Sequence, residues 1–137
     1  MRAVMIGIDH SLEETIVSGL EGLQGVEILG IAAMGRQGVR LAKRLVPDLV
    51  VVAFDMPDMT GPAVTRALKS DGIPSPAVII VSPSDRGGYA HLARQSGADA
   101  YLTRASLGQL VAVVEKLKRQ REWPPQQPAA LRPWKRS

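Results

Sequence analysis

Cysteine is absent from this chain of 137 residues, which excludes disulfides, thiolate zinc sites and cysteine nucleophiles together and suits a reducing compartment. Long apolar runs are absent too. None nears the roughly 18 residues of a membrane span, and the opening MRAVMIGIDH carries an Arg and an early Asp rather than a leader pattern. The chain is therefore read as cytoplasmic, with no membrane contact. Its glycines spell neither GxGxxG nor a Walker loop, so nucleotide binding has no support and no cofactor is expected. His10 has Glu13 and Glu14 three and four residues on, but acids in a first helical turn are explained by the helix dipole; His91 has no such neighbours. Aromatics make up only 4% of the chain.

What is present fits one ordinary soluble domain, 45% apolar and 22% charged. The net charge of +4 invites a reading as a nucleic-acid binder, but it is unevenly placed. From Met1 to Val114 there are 10 basic and 11 acidic residues; from Glu115 to Ser137 there are 7 and 2. The basicity belongs to the C-terminal end, where WPPQQPAALRPWKRS holds four of the ten prolines and shows no hydrophobic period. Residues 122–137 read as an extended tail or linker, and 1–121 as the domain. In that tail Trp123 and Trp134 are candidate anchors for a partner, with Trp123 alternatively folding back onto the domain.

The body alternates short apolar runs with helical patterns, the signature of a parallel sheet with crossover helices. Strands are expected at Ala3–Ile8, Val26–Ala32, Leu49–Ala53, Ala77–Ser82 and Ala100–Leu102. LVVVAF and AVIIVS are continuous β-branched runs, as expected of central strands covered on both faces. Helices are expected from Ser11, where Ser11 and Glu14 suggest a capping box, and at Gln37–Leu45, Pro62–Ser70, Gly88–Gln95 and Leu107–Arg121. The fold class is α/β, a doubly wound five-stranded parallel sheet with flanking helices. Such a sheet places its working crevice outside the carboxyl ends of the strands, which selects Asp9 and His10, Phe54–Met59, Ser82–Ser84 and Thr103–Ala105.

Taken in order and at their spacing, VMIGIDH, PDLVVVAFDMPDMTG, AVIIVSPSD and SGADAYLTRAS resemble the receiver domain of bacterial response regulators, the CheY-like family, over nearly all of Met1–Arg121. The resemblance implies autophosphorylation of an aspartate ending the third strand, with magnesium held by it and by an acidic pair after the first strand, and a lysine steadying the phosphoryl oxygens. A carboxylate oxygen attacks, and a hard cation neutralises the gathering charge. Matched residue by residue, the acceptor position falls on Ala53, the first acid of the pair on Ile8, leaving Asp9, and the lysine on Arg104. A methyl group has no lone pair with which to attack phosphorus. Ser82 and Tyr101 match the hydroxyl and aromatic positions that report phosphorylation to the surface of helix four, strand five and helix five.

Each departure has a plain reading beside a sharper one. Asp9 is a helix-start carboxylate or a lone metal ligand; Asp55 is a solvated loop acid or a rescuing second ligand or acceptor. Asp58 is first a turn residue. Arg104 is expected to pair internally with Asp9 or Asp55 in place of the metal, the alternative being a clamp for an anion. Ser82 and Tyr101 are half-covered polar side chains or remnants of the switch.

The resulting expectation is a pseudo-receiver, not an enzyme, that regulates through a protein partner or an effector domain without phosphorylation. Its contact face would run from about Gly88 to Leu117, with a homodimer through the same face as one form. Alternatives are phosphorylation or metal binding rescued by Asp55 and Asp9, a small-anion sensor around Asp9, Ala53, Ser82 and Arg104, and the N-terminal regulatory part of a longer DNA-binding or ParA/MinD-like ATPase protein. Direct nucleic-acid binding is expected only through the tail cations Arg132, Lys135 and Arg136.

Overall fold

The computed structural model describes residues 1–70 and 75–120. The elements follow one another as β1 (Arg2–Ile6), α1 (His10–Glu21), β2 (Glu27–Ala32), α2 (Gly35–Leu45), β3 (Leu49–Ala53), α3 (Gly61–Lys69), β4 (Ala77–Ser82), α4 (Tyr89–Gln95), β5 (Ala100–Thr103), a 3₁₀ turn (Arg104–Gln109) and α5 (Leu110–Gln120). All strand pairs are parallel, in the order β2-β1-β3-β4-β5. The chain therefore reverses its direction of travel across the sheet at β1 and β3, whose carboxyl ends flank the crevice such folds use.

The sheet is sandwiched between two aliphatic layers. On one side Met5, Val51 and Ile79 pack against Leu12, Ile16 and Leu20 of α1 and Leu110, Val114 and Leu117 of α5. On the other, Val4, Ile6, Val50, Val52, Val78 and Ile80 meet Ala42 of α2, Val64 and Leu68 of α3 and Ala93 of α4. Successive strand side chains point to opposite faces, so a strand covered twice must be apolar at every position. Val50, Val51 and Val52 are fully buried, as are Ile79 and Ile80. The two β-branched runs in the sequence are the central strands they were expected to be.

Several boundaries differ from the sequence reading, each for a local reason. β1 ends at Ile6 rather than Ile8, because Gly7 adopts φ +66° and turns the chain out of the sheet. α1 begins at His10, and no Ser11–Glu14 box forms: Asp9 is the N-cap, its side chain accepting from the Ser11 amide. α2 begins two residues before Gln37, because its first amides are capped from another loop. The Asp58 carboxylate accepts from Gly35 N at 3.0 Å and Arg36 N at 2.9 Å. The last helix is preceded by a 3₁₀ turn, closed where Ser106 Oγ accepts from Thr103 N at 2.8 Å.

α2 lies unusually close to β1. A Cβ built on Gly38 would stand 2.4 Å from Ile6 Cγ2 and 2.6 Å from Cδ1, so the bare backbone of this residue is what admits the helix to the sheet. At its far end Arg2 reaches across from β1 to donate to the carbonyls of Leu45 (2.8 Å) and Val46 (3.1 Å). These otherwise unpaired C-terminal acceptors are thereby satisfied.

Candidate functional site

Three loops leave the carboxyl ends of β1, β3 and β4 and enclose a crevice of about 160 Å³. Its lining includes Ile8 and Asp9 after β1, Ala53 and Asp55 after β3, and Ser82 and Ser84 after β4. Five sequence candidates, Ile8, Asp9, Ala53, Asp55 and Ser82, are thus brought to one place. Tyr101 and Arg104 are not part of the lining; Arg86 supplies the cation there.

The polar groups of the crevice are largely occupied. Asp9 Oδ1 accepts from Ser11 N at 2.9 Å, and this bond, followed by the Ser11 hydroxyl, holds its carboxyl below the usual carboxylate range. Asp55 Oδ2 accepts from Tyr89 OH at 2.8 Å, and the same tyrosine ring lies face to face on Phe54, centroids 3.7 Å apart and planes 9° from parallel. The hydrogen bond to Asp55, more than burial, raises the Tyr89 phenol above its ordinary value. Tyr89 thus ties the start of α4 to the β3–α3 loop. Ser82, 2% exposed, donates to the carbonyl of Ser84 at 2.7 Å and is satisfied internally.

Arg104 corrects an expectation. It forms no ion pair with Asp9 or Asp55: it opens the 3₁₀ turn, and Nη2 reaches outward to Ser11 Oγ at 2.9 Å. Only its through-space charge bears on Asp9. Tyr101 is half-buried on the α4–β5 side, its OH 3.5 Å from Asp85 Oδ1, and burial raises its phenol above the ordinary value. It helps line a separate groove with Ala93, Arg94 and Asp99. Asp58, read as a turn residue, is the cap of α2, and its two amide partners hold its carboxyl below the usual range. His10 is exposed, 4.0 Å from Glu13. Trp123, Trp134 and the remainder of the 122–137 tail lie outside the described residues.

The order of strands, the three loops and the β1/β3 crevice are those of a known signalling module, and residues 6–115 match the family model described as the response regulator receiver domain. The chain belongs to that family. Relatives include the response regulator GacA of Pseudomonas aeruginosa, 30% identical over 119 residues, covering 85% of this chain and 55% of that protein. The probable transcriptional regulatory protein NarL of Mycobacterium tuberculosis is 32% identical over 104 residues, 75% of this chain and 48% of its own length. The solved signal receiver domain of that NarL superposes with a TM-score of 0.74 at 30% identity, over 85% of this chain and 95% of that one. The chain spans about half the length of these two curated relatives.

The magnesium that the receiver resemblance implies does not fit the residues present. A hard divalent cation wants several oxygen ligands. Here Ile8 and Ala53 offer hydrocarbon, the Asp9 carboxylate caps α1, and Asp55 is held by Tyr89. Among the described residues no group of three His, Asp or Glu side chains could hold a metal, and no helix is long and apolar enough to cross a membrane.

Proposed function

We propose that this receiver works without phosphoryl transfer, as a protein-interaction module that regulates a partner or an attached effector domain. The observation that carries the reading is Ala53 at the carboxyl end of β3, its methyl group in the crevice where the family resemblance calls for an acceptor oxygen. A covalent phosphoryl intermediate requires a nucleophile with a free electron pair, and a methyl group has none. The Ile8 side chain and the two engaged carboxylates support the same conclusion for the metal.

In a receiver driven by phosphorylation, reversing a two-state equilibrium from 1:99 to 99:1 takes about 5.5 kcal/mol of differential binding. In this domain that free energy comes from a partner that prefers one conformation. The Tyr89 tether between Asp55 and α4 favours one arrangement of the crevice rim over the others. The domain is not an enzyme in this reading, and the α4–β5–α5 face is its output surface.

Intact-mass measurement after incubation with acetyl phosphate and magnesium tests the proposal. The expected mass is unchanged. A gain of one phosphate, lost on Asp55→Asn, overturns it in favour of a rescued acceptor.

A further inference from the structure

We propose that Met56 and Met59 form a reversible oxidation site, through which a peroxide loosens the loop between β3 and α3 from the elements it holds. The chain has no cysteine and five methionines, of which Met1 and Met5 are buried in the core, 4% and 0% exposed. The other three belong to that loop or to the turn before α2. Met34 immediately precedes α2 and is 41% exposed; Met56 and Met59 lie half-buried in the loop of residues 54–60.

Each loop methionine presses on a glycine whose amide is already committed. A Cβ built on Gly7 would stand 2.4 Å from Met56 Sδ, and one built on Gly35 would stand 3.1 Å from Met59 Sδ. Each sulfur therefore lies against bare backbone, and both side chains pack on the aliphatic layer beneath α2 and α3. The Gly7 amide donates to Ala32 O at 2.8 Å and the Gly35 amide to Asp58 Oδ1 at 3.0 Å. A thioether asks nothing of these glycines beyond a close fit. A sulfoxide carries a strongly polar oxygen that needs a donor, and neither glycine has a free one. The oxidised Met59 either takes the Gly35 amide from Asp58 or swings into water and leaves its contact empty.

The start of α2 hangs on that contact. Its N-cap residue, Met34, makes no side-chain capping bond, and the Asp58 carboxylate supplies one from across the loop. The same loop holds α4, through Asp55 and Phe54 on Tyr89. Losing the two thioether contacts thus weakens the cap of α2 and the tether of α4 in one chemical event. In that event a lone pair on sulfur attacks a peroxide oxygen, and the S–O bond forms as the O–O bond breaks. The departing hydroxide takes the proton of the new S–OH group and leaves as water; sulfur gives up two electrons and the peroxide is reduced. The product is a sulfoxide, which methionine sulfoxide reductases return to the thioether. Met34 is the internal control: it is the most exposed of the five, so exposure alone would place the largest effect there.

The test treats the full chain with hydrogen peroxide and maps oxidation residue by residue by peptide mass, with thermal unfolding and amide hydrogen exchange measured on the same samples. Met34, Met56 and Met59 are expected to gain one oxygen each while Met1 and Met5 stay reduced, and Tm to fall by about 3–8 °C. Exchange should rise at least about threefold at the starts of α2 and α4 together. The fall in Tm should persist in Met34→Leu and shrink below about 1 °C in M56L/M59L, which keeps apolar side chains of similar volume at both contacts. Two reductases, one for each sulfoxide epimer, should restore the parent Tm. Met59→Gln, which sets a polar group against Gly35 without any oxidant, should speed exchange at the start of α2 by itself. Protection of Met56 and Met59 until Met5 also oxidises, an equal Tm loss in M56L/M59L, or faster exchange in α2 with α4 unchanged would each overturn the proposal. None of these outcomes bears on whether Ala53 precludes phosphorylation.

Discussion

Replacing Gly38 by alanine tests how α2 is seated on the sheet. Two effects oppose each other. In a helix interior alanine is favoured over glycine by about 1 kcal/mol, so a helix free of neighbours would gain from the change. Here the new methyl group would stand 2.4–2.6 Å from three atoms of Ile6, a side chain with 0% exposure and no room to withdraw. Contacts this short put overpacking at the upper end of its usual range, about 2–3 kcal/mol, so a net loss of about 1–2 kcal/mol is expected, or roughly 3–8 °C in Tm for a domain of this size. Gly108→Ala is the control: nothing lies within 4 Å of its Cβ position, and the expected change is neutral to stabilising by about 0.4–1 kcal/mol. Ile6→Ala alone should cost about 2–5 kcal/mol through the cavity it leaves. Combined with Gly38→Ala, the added methyl fills part of that cavity and the clash vanishes, so the pair should be less damaging than its parts by about 1–3 kcal/mol. Urea denaturation of the four proteins measures all of this. A Gly38→Ala variant as stable as its parent, or strictly additive effects, would refute the close seating of the helix.

Other outcomes follow from the same geometry. Val46→Gly should stabilise the domain by about 0.5–1 kcal/mol in chemical denaturation, because the left-handed cap costs an L-residue about 1–2 kcal/mol and glycine returns part of the gain as unfolded-chain entropy. Ile8→Asp combined with Ala53→Asp adds two carboxylates beside Asp9, so magnesium at about 100 times its dissociation constant should stabilise that variant by about 2.7 kcal/mol and leave the parent unmoved in a thermal shift assay. The Asp58 carboxyl is held below its ordinary value by the α2 amides; its contribution is present above the unfolded-state value and is lost as pH falls through the folded one. The Tm advantage of the parent over Asp58→Asn should therefore be constant near neutrality and shrink in acid.

The fold was legible in the sequence where residue chemistry is dictated locally. β3 and β4 fall on the residues expected because strands buried on both faces admit only apolar side chains, and Leu49–Ala53 and Ala77–Ser82 are bounded by polar loops. The start of α2 was not legible, since its cap, Asp58, lies more than twenty residues away. The start of α1 was within reach: Asp9 precedes Ser11 and is as good a cap. Most of the crevice was foreseen, because strand ends fix where Ile8, Asp9, Ala53, Asp55 and Ser82 must stand. Tyr89 and Arg86 were missed. The run SDRGGY carries no period, and only the tertiary approach of α4 to the β3 loop gives its tyrosine a ring to stack on and a carboxylate to bond. Arg104 was misassigned because charge alone favoured Asp9, whereas the 3₁₀ turn sends the guanidinium to Ser11.

The pairing of Tyr89 with Phe54 gives the domain a built-in optical gauge. The chain holds one phenylalanine and two tyrosines, and two of these three rings lie in van der Waals contact across the rim of the crevice. Coupled rings held at fixed orientation contribute to near-ultraviolet dichroism, and that contribution fades once they turn independently. A binder that pries α4 from the β3 loop would thus announce itself as a loss of that signal without any label, while one that leaves the two rings in place would leave the spectrum unchanged.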